Sequence, residues 1–156
     1  MNLVKNIARE QYRNLVNTVT KQFRTIQLPK QGWLSTTRNA LGMSVAQLAR
    51  QLGVTRGHIS RIEKSELSGS VTLKTMRTIA EGMGCRFVYA IVPENNVDER
   101  LAERARLKAT RMVERATNHS ALEDQALSEK QIAGEIKRLQ DELLKEMPSD
   151  FWNDEV

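Results

Sequence analysis

The segment from Ser44 to Glu63, "SVAQLARQLGVTRGHISRIE", decides the fold because it places two short helical patterns on either side of one glycine. Ser44 is a suitable N-cap for the first pattern, whose apolar positions end at Leu52. Gly53 then provides the left-handed backbone conformation that ends a helix at little steric cost. Thr55 is a suitable N-cap for the second pattern. The segment therefore predicts two helices that cross at a steep angle.

The second of these helices has an inward apolar face and an outward polar one. Ile59 and Ile62 are expected to hold it against the rest of a domain. Its outward side chains carry hydroxyl, imidazole and cationic groups, which suits a short helix that enters a DNA major groove about 12 Å wide. The residues predicted to bind DNA are Ser44, Thr55, Arg56, Gly57, His58, Ser60, Arg61 and Lys64.

Five of these residues have a specific chemical reason to touch DNA. Arg56 and Arg61 are candidates for base contacts, because a guanidinium binds guanine O6 and N7 bidentately. Thr55 and His58 lie at the helix N-terminus, where phosphates or bases are accessible. Gly57 costs roughly 1 kcal/mol of helix propensity. It is either a tolerated weakness or, as we favour, a position where the helix must approach DNA closely.

The distribution of charge supports a polyanionic partner. The 156 residues carry a net charge of +5, but residues 1–61 hold ten Lys or Arg against one acid, Glu10. Residues 62–156 hold fourteen against eighteen. A basic front half suits nucleic acid, and a separate acidic end avoids cancelling its field. The single cysteine, Cys85, and the absence of a long apolar run predict a cytoplasmic protein with no disulfide and no membrane partner.

The periodicity divides the chain into four regions and predicts a mainly α-helical fold. Residues 1–28 form an amphipathic N-terminal helix, and residues 29–84 form the DNA-binding domain. Residues 85–93, "CRFVYAIVP", are rich in β-branched and aromatic residues and predict one short β-strand. Residues 94–156 form a helical extension with an acidic tail. One helix of this extension is expected to break near Asn118.

The predicted strand has no partner of comparable quality elsewhere in the chain. A lone strand leaves its backbone donors and acceptors unpaired, so the simplest solution is the same strand of a second subunit. This reasoning predicts a homodimer. The residues assigned to the dimer interface are Phe87, Val88, Tyr89, Ala90 and Ile91.

The C-terminal extension contains two capping-box patterns and an aromatic tail. "SALE" at Ser120 and "SEKQ" at Ser128 each predict a helix start. Pro148 ends the last helix, and the tail beyond it lacks a periodic pattern. Its removal is therefore expected to leave the DNA-binding core folded. Phe151 and Trp152 either fold back onto the preceding helix, which we favour, or anchor a partner protein.

These motifs carry a resemblance to a known family. "MSVAQLARQLGV", "ISRIEKSE" and "TLKTMRTIAEGMG" resemble the Xre class of helix-turn-helix proteins, to which Cro and the lambda repressor belong. "GWLSTTRNALGM", "GSVTLKTMR", "CRFVYAIVP" and "NHSALEDQ" further resemble the mobile mystery protein A family. The resemblance implies a lambda-repressor-like helix-turn-helix core. It also implies a bacterial regulator, often encoded beside a Fic-domain protein, that acts with that protein as an antitoxin-like autorepressor.

Two positions depart from what the resemblance implies. Many Xre proteins have a DNA-contacting Gln where this chain has Val45, whose side chain cannot hydrogen-bond. Several inhibitors of Fic enzymes carry Ser or Thr four residues before Glu, and Glu is followed by Gly or Asn. Arg77 and Ala90 occupy that position before Glu81 and Glu94, so the inhibitory motif is absent from both places.

Other functions fit the sequence less well. His58 and His119 are far apart, no metal-ligand spacing or phosphate loop is present, and Cys85 lies in an apolar run, so no enzyme activity, metal or cofactor is expected. Two alternatives stay open. One is a phage or mobile-element repressor that has no toxin partner. The other is a protein-interaction module that does not bind DNA.

Overall fold

Seven stretches of the described residues form α-helices, as capping residues and apolar periodicity predict. The computed structural model describes residues 2–121 and 127–154, and the helices below lie in these ranges. They are α1 Leu3–Phe23, α2 Trp33–Ala40, α3 Val45–Leu52, α4 Arg56–Ser68, α5 Leu73–Gly82, α6 Val97–Ala121 and α7 Glu129–Glu146. They fall into two compact units, Thr25–Ala90 and Met1–Arg24 with Ile91–Val156. The prediction of a mainly α fold is confirmed.

The unit Thr25–Ala90 contains α2 to α5 around one apolar core. Leu48 and Ile59, on α3 and α4, are at most 1% exposed and form its centre. Met76 and Ile79 of α5 are buried in the same cluster. A Cβ on Gly82 would lie 2.4 Å from the Cδ2 atom of Leu52, so the absence of a side chain there allows α5 to approach α3 closely.

The helix boundaries in this unit follow from the predicted caps. The Ser44 hydroxyl accepts the N–H of Gln47, and the Gln47 side chain accepts the N–H of Ser44, which forms a capping box at the start of α3. Gly53 ends α3 with φ of 67°, in the left-handed region. Thr55 caps α4. The two helices and the glycine turn are confirmed.

Two carboxylates of α4 tie α2 to it. Glu63 accepts from Arg38 at 2.7 Å and 3.3 Å, with both side chains largely buried. Glu66 accepts the N–H groups that begin α2, including that of Leu34 at 2.8 Å. A Cβ at Gly32, where φ is 84°, would lie 2.6 Å from a Glu66 carboxylate oxygen. A carboxylate therefore caps α2 where its own N-cap residue has no side chain.

The second unit contains α1, α6 and α7. Ala105 and Ala109 are fully buried on α6, and their small side chains allow α7 to pack closely through Leu143. The residues that contact this cluster, all partly buried, are Leu101, Met112, Ile136, Leu139, Leu144 and Met147. Ser128 forms a capping box that begins α7, as predicted.

The aromatic tail folds back onto this unit, as favoured above. Phe151 is 1% exposed and belongs to the core cluster. Arg104 donates to the carbonyl of Phe151 at 2.8 Å and pairs with Asp154 at 2.9 Å. Lys108 donates to the carbonyl of Asp150. The tail is therefore part of the core of this unit, and its removal would expose apolar surface and leave two buried cations without their acceptors.

Helix α1 contacts α6 through its polar side. Arg13 and Asn17 both donate to Asp98, and Asn17 also accepts the N–H of Val97. Thr20 is buried. The apolar stripe of α1 is largely exposed, with Val4 at 71% and Leu15 at 63%.

The structure corrects two sequence predictions. No β-strand is found in residues 2–121 and 127–154, and residues 85–93 form neither helix nor strand. A strand requires a second extended segment to pair with, and the described residues offer none. The helix expected to break near Asn118 continues through Ala121. The capping box predicted at Ser120 includes residues outside the described ranges. None of the helices within these ranges is both long and apolar enough to span a membrane.

Candidate nucleic-acid interface

Helix α4 presents one face to the core of its unit and the opposite face to solvent. Ile59 is 1% exposed and Ile62 is 8% exposed, so both anchor the helix. Gly57, Ser60, Arg61 and Lys64 follow the spacing i, i+3, i+4 and i+7, which places them along a single stripe away from the isoleucines. We call these four residues the α4 stripe. The helical repeat thus brings four of the predicted DNA-binding residues together.

The first turn of α4 has free backbone donors. The Thr55 hydroxyl accepts the N–H of His58 at 3.1 Å, which uses its oxygen as the helix cap. The N–H groups of Arg56 and Gly57 have no acceptor among the described residues. Such groups carry the positive end of the helix dipole and favour a phosphate. The side chains of Arg56 and His58, next to these donors, are exposed.

The cations on this surface do not form ion pairs with other described residues of the protein. Arg56, Arg61 and Lys64 are exposed, and none of them makes an ion pair within the described part of the chain. Arg38 differs, since it is 8% exposed and bound to Glu63. Unpaired guanidinium and ammonium groups remain available to phosphates and base edges.

Gly57 has no structural reason to be glycine. It lies inside a helix, and its φ is not positive. A Cβ built there would lie 3.6 Å from Nη1 of Arg61, an ordinary van der Waals distance. Alanine would fit the domain itself. The missing side chain leaves the N-terminal end of the α4 stripe open to a close approach from outside.

Helix α3 adds residues that the sequence interpretation missed. Gln47 and Arg50 are exposed, and the Arg50 side chain has no ion-pair partner among the described residues. Their exposure could have been predicted, because both lie opposite the apolar positions of α3. Ser44 is exposed, but its hydroxyl and N–H serve the capping box. Val45 packs against the apolar core, so its side chain contributes to the stability of the unit and not to a hydrogen bond with DNA.

The other predicted site residues lie outside this surface. Phe87 packs against the core of its unit and stacks on Tyr89 with ring centroids 5.6 Å apart. Val88, Tyr89 and Ile91 are exposed, Ile91 by 91%, and Ala90 is exposed as well. In the tail, Phe151 is buried, whereas Trp152 is half exposed. Only Trp152 of that pair is accessible to another molecule.

The comparison with protein families agrees with this geometry. Residues 34–89 match a family model described as helix-turn-helix, of the Xre and lambda-repressor type. No curated protein and no solved structure matches the chain. The matched segment includes α2 from its second residue, α3 to α5 and the whole α4 stripe. The matched family is one of DNA-binding regulatory domains, which supports a role in transcriptional regulation.

Proposed function

We propose that the protein is a sequence-specific transcriptional regulator that reads duplex DNA through the α4 stripe and the first turn of α4. The observation that carries this proposal is the row of unpaired cations beside an unobstructed Gly57 on a firmly anchored helix. Arg56 and Arg61 contact base edges, with guanine as the preferred partner. The free N–H groups of Arg56 and Gly57, with Thr55, His58 and Ser44, position the phosphates. Ser60 and Lys64 extend the contact along the groove.

We further propose that this cytoplasmic regulator represses its own gene together with that of a neighbouring Fic-domain protein, for which it acts as an antitoxin. The support is the sequence resemblance of "GWLSTTRNALGM" and "GSVTLKTMR" to the mobile mystery protein A family. The reading frame beside the gene discriminates between the two regulators considered above. A Fic-domain neighbour supports the antitoxin role, and a phage gene cluster supports a repressor without a toxin.

The proposal includes a homodimer, since two helices one DNA turn apart read a palindromic site. Residues 87–91 support it, because Val88, Tyr89 and Ile91 expose apolar surface on a segment without helix or strand. Association of two copies would cover these side chains.

DNA binding is tested with duplexes that span the region upstream of the gene, by fluorescence anisotropy at several salt concentrations. Arg56→Ala and Arg61→Ala are each expected to weaken binding by about 1–3 kcal/mol and to relax sequence preference. Arg138→Ala is the matched control, since Arg138 is already paired with Glu135 and Glu142. A failure of the wild-type protein to bind any of these duplexes at low salt contradicts the proposal.

The homodimer is tested by sedimentation at micromolar concentration. Val88→Asp should shift the protein toward monomer, because it places a carboxylate in an apolar interface. Leu67→Asp, at another exposed aliphatic residue of the same unit, should leave the association unchanged. A wild-type monomer, or equal behaviour of the two variants, rejects this interface.

A further inference from the structure

A second surface of the molecule has the features of a binding groove. Its apolar lining includes Tyr12 and Val16 of α1, Leu101 of α6, and Met147 and Trp152 at and after the end of α7. The groove has a volume of about 300 Å³. All of its lining residues belong to the unit Met1–Arg24 with Ile91–Val156, so this surface is independent of the proposed DNA-binding one.

The walls of the groove are fixed in position. Trp152 meets the buried Phe151 edge to face, with ring centroids 5.3 Å apart. The guanidinium of Arg100 lies 5.1 Å from the centroid of the indole ring. Trp152 is nevertheless 50% exposed and Tyr12 is 69% exposed. A preformed apolar cleft with two exposed aromatic walls is the arrangement that receives an apolar side chain of a partner.

The charge around the groove selects the kind of partner. Two arginines, Arg9 and Arg13, line it and no acid does. Arg13 is paired with Asp98, whereas Arg9 has no ion-pair partner among the described residues. The rest of the exposed apolar stripe of α1, which includes Leu3, Val4, Ile7 and Leu15, continues from this edge.

A second copy of α1 is a poor occupant. Each α1 carries four Lys or Arg against one acid, so two such helices would repel each other. An acidic helix has the opposite charge and can cover the same stripe. We propose that the groove and the exposed stripe of α1 bind an acidic amphipathic helix of another protein. One of its apolar side chains fills the groove, and its carboxylates lie beside Arg9.

Trp152 itself reports binding once the other tryptophan, Trp33, is replaced. In a Trp33→Phe background, the probe is an amphipathic helical peptide with a leucine stripe and glutamate flanks. The control peptide has the same sequence with lysine in place of each glutamate. The glutamate peptide should produce a saturable blue shift of the Trp152 emission, and the lysine peptide should not. Equal binding of the two peptides, or no saturable shift with the glutamate peptide, overturns the proposal.

Charge reversal distinguishes the groove from a general electrostatic attraction. Arg9→Glu should weaken the glutamate peptide roughly three- to tenfold, in line with exposed charge pairs. Lys130→Glu reverses a charge in the same unit at the start of α7, about 25 Å along that helix from Met147, and should have no effect. Equal weakening by the two variants overturns the proposal.

Two other occupants of this surface, a membrane and a second copy of the chain, would each give a different experimental result. Phosphatidylglycerol vesicles that co-sediment with the protein and shift the Trp152 emission as the peptide does would assign the stripe to a membrane surface. Self-association that Leu15→Glu abolishes would assign the stripe to a second copy. Either result overturns the proposal, whereas weaker binding of the glutamate peptide to Tyr12→Ser with unchanged thermal stability supports it.

Discussion

The two units of the molecule use their charges in opposite ways. Thr25–Ala90 holds nine Lys or Arg against three acids, a net charge of +6. Two of its acids bind groups of the same unit: Glu63 pairs with Arg38, and Glu66 accepts backbone N–H groups of α2. The Arg38–Glu63 pair is the one ion pair of this unit within the described residues. The other unit holds fifteen cations against sixteen acids. Six of its cations form ion pairs within the described residues, including Arg104–Asp154, Lys108–Asp150 and Lys137–Asp141.

This difference indicates a division of labour. Cations that are paired internally stabilise the structure of their own unit. Cations that are left unpaired are available to bind a polyanion. The comparison predicts that substitutions in the unit Met1–Arg24 with Ile91–Val156 change the stability of the protein, while substitutions on the α4 stripe change its DNA affinity. The predictions below test that separation, beginning with the largest effect.

The largest effect is expected at the tail. Phe151→Ala should lower the free energy of unfolding by about 3–5 kcal/mol, because it leaves a cavity in the core of α6 and α7. Urea unfolding measures the loss, and Trp152→Ala should cost much less because that ring is half exposed. DNA affinity of the folded variant should remain within about twofold of wild type. A loss of DNA affinity as large as the loss of stability would remove the separation between the units.

A smaller effect is expected inside the DNA-binding domain itself. Glu63→Gln should destabilise it by about 2–4 kcal/mol, since it leaves the Arg38 guanidinium without its buried anion. Glu81→Gln is the control, because Glu81 is the exposed acid of the same unit and forms no ion pair among the described residues. Thermal unfolding compares the two. Equal midpoints would show that the Arg38–Glu63 pair does not stabilise α2 on α4.

The smallest effect concerns pH. The hydrogen bond from Arg104, with its charge, lowers the pKa of Asp154. A lowered pKa in the folded state means that this contact stabilises the fold above the ordinary carboxyl pKa of about 4 and is lost as pH falls through the lowered value. The urea midpoint should therefore drop less between pH 6 and pH 3 in Asp154→Asn than in wild type. Because Asp154 is largely exposed, the difference is expected to be small, and identical pH profiles would contradict it.

Much of the fold could be predicted because its signals are local. Ser44, Gly53 and Thr55 act through backbone geometry within a few residues, and the structure places helix boundaries at each of them. The outward position of the α4 stripe follows from the helical repeat alone. Such features can be predicted without knowledge of the tertiary contacts.

The features that could not be predicted depend on distant partners. Arg104 and Lys108 look like ordinary solvent-facing cations, yet both are buried because their acceptors lie more than forty residues later in the tail. The β-branched run at residues 85–93 predicts a strand, but a strand forms only where another segment pairs with it. The apolar stripe of α1 predicts a covered face, whereas the helix packs through Arg13, Asn17 and Thr20.

The most direct test of the central claim is Gly57→Ala, measured for both stability and DNA affinity. A Cβ at this position meets only the end of the Arg61 side chain, so alanine should stabilise the isolated fold by up to about 1 kcal/mol through its higher helix propensity. If α4 reads DNA through this stripe, the same methyl group should weaken operator binding. Gly134→Ala, at an open position inside α7, should stabilise the fold and leave DNA binding unchanged. A Gly57→Ala protein that is more stable and binds DNA as tightly as wild type would contradict the assignment of the α4 stripe as the DNA-reading surface.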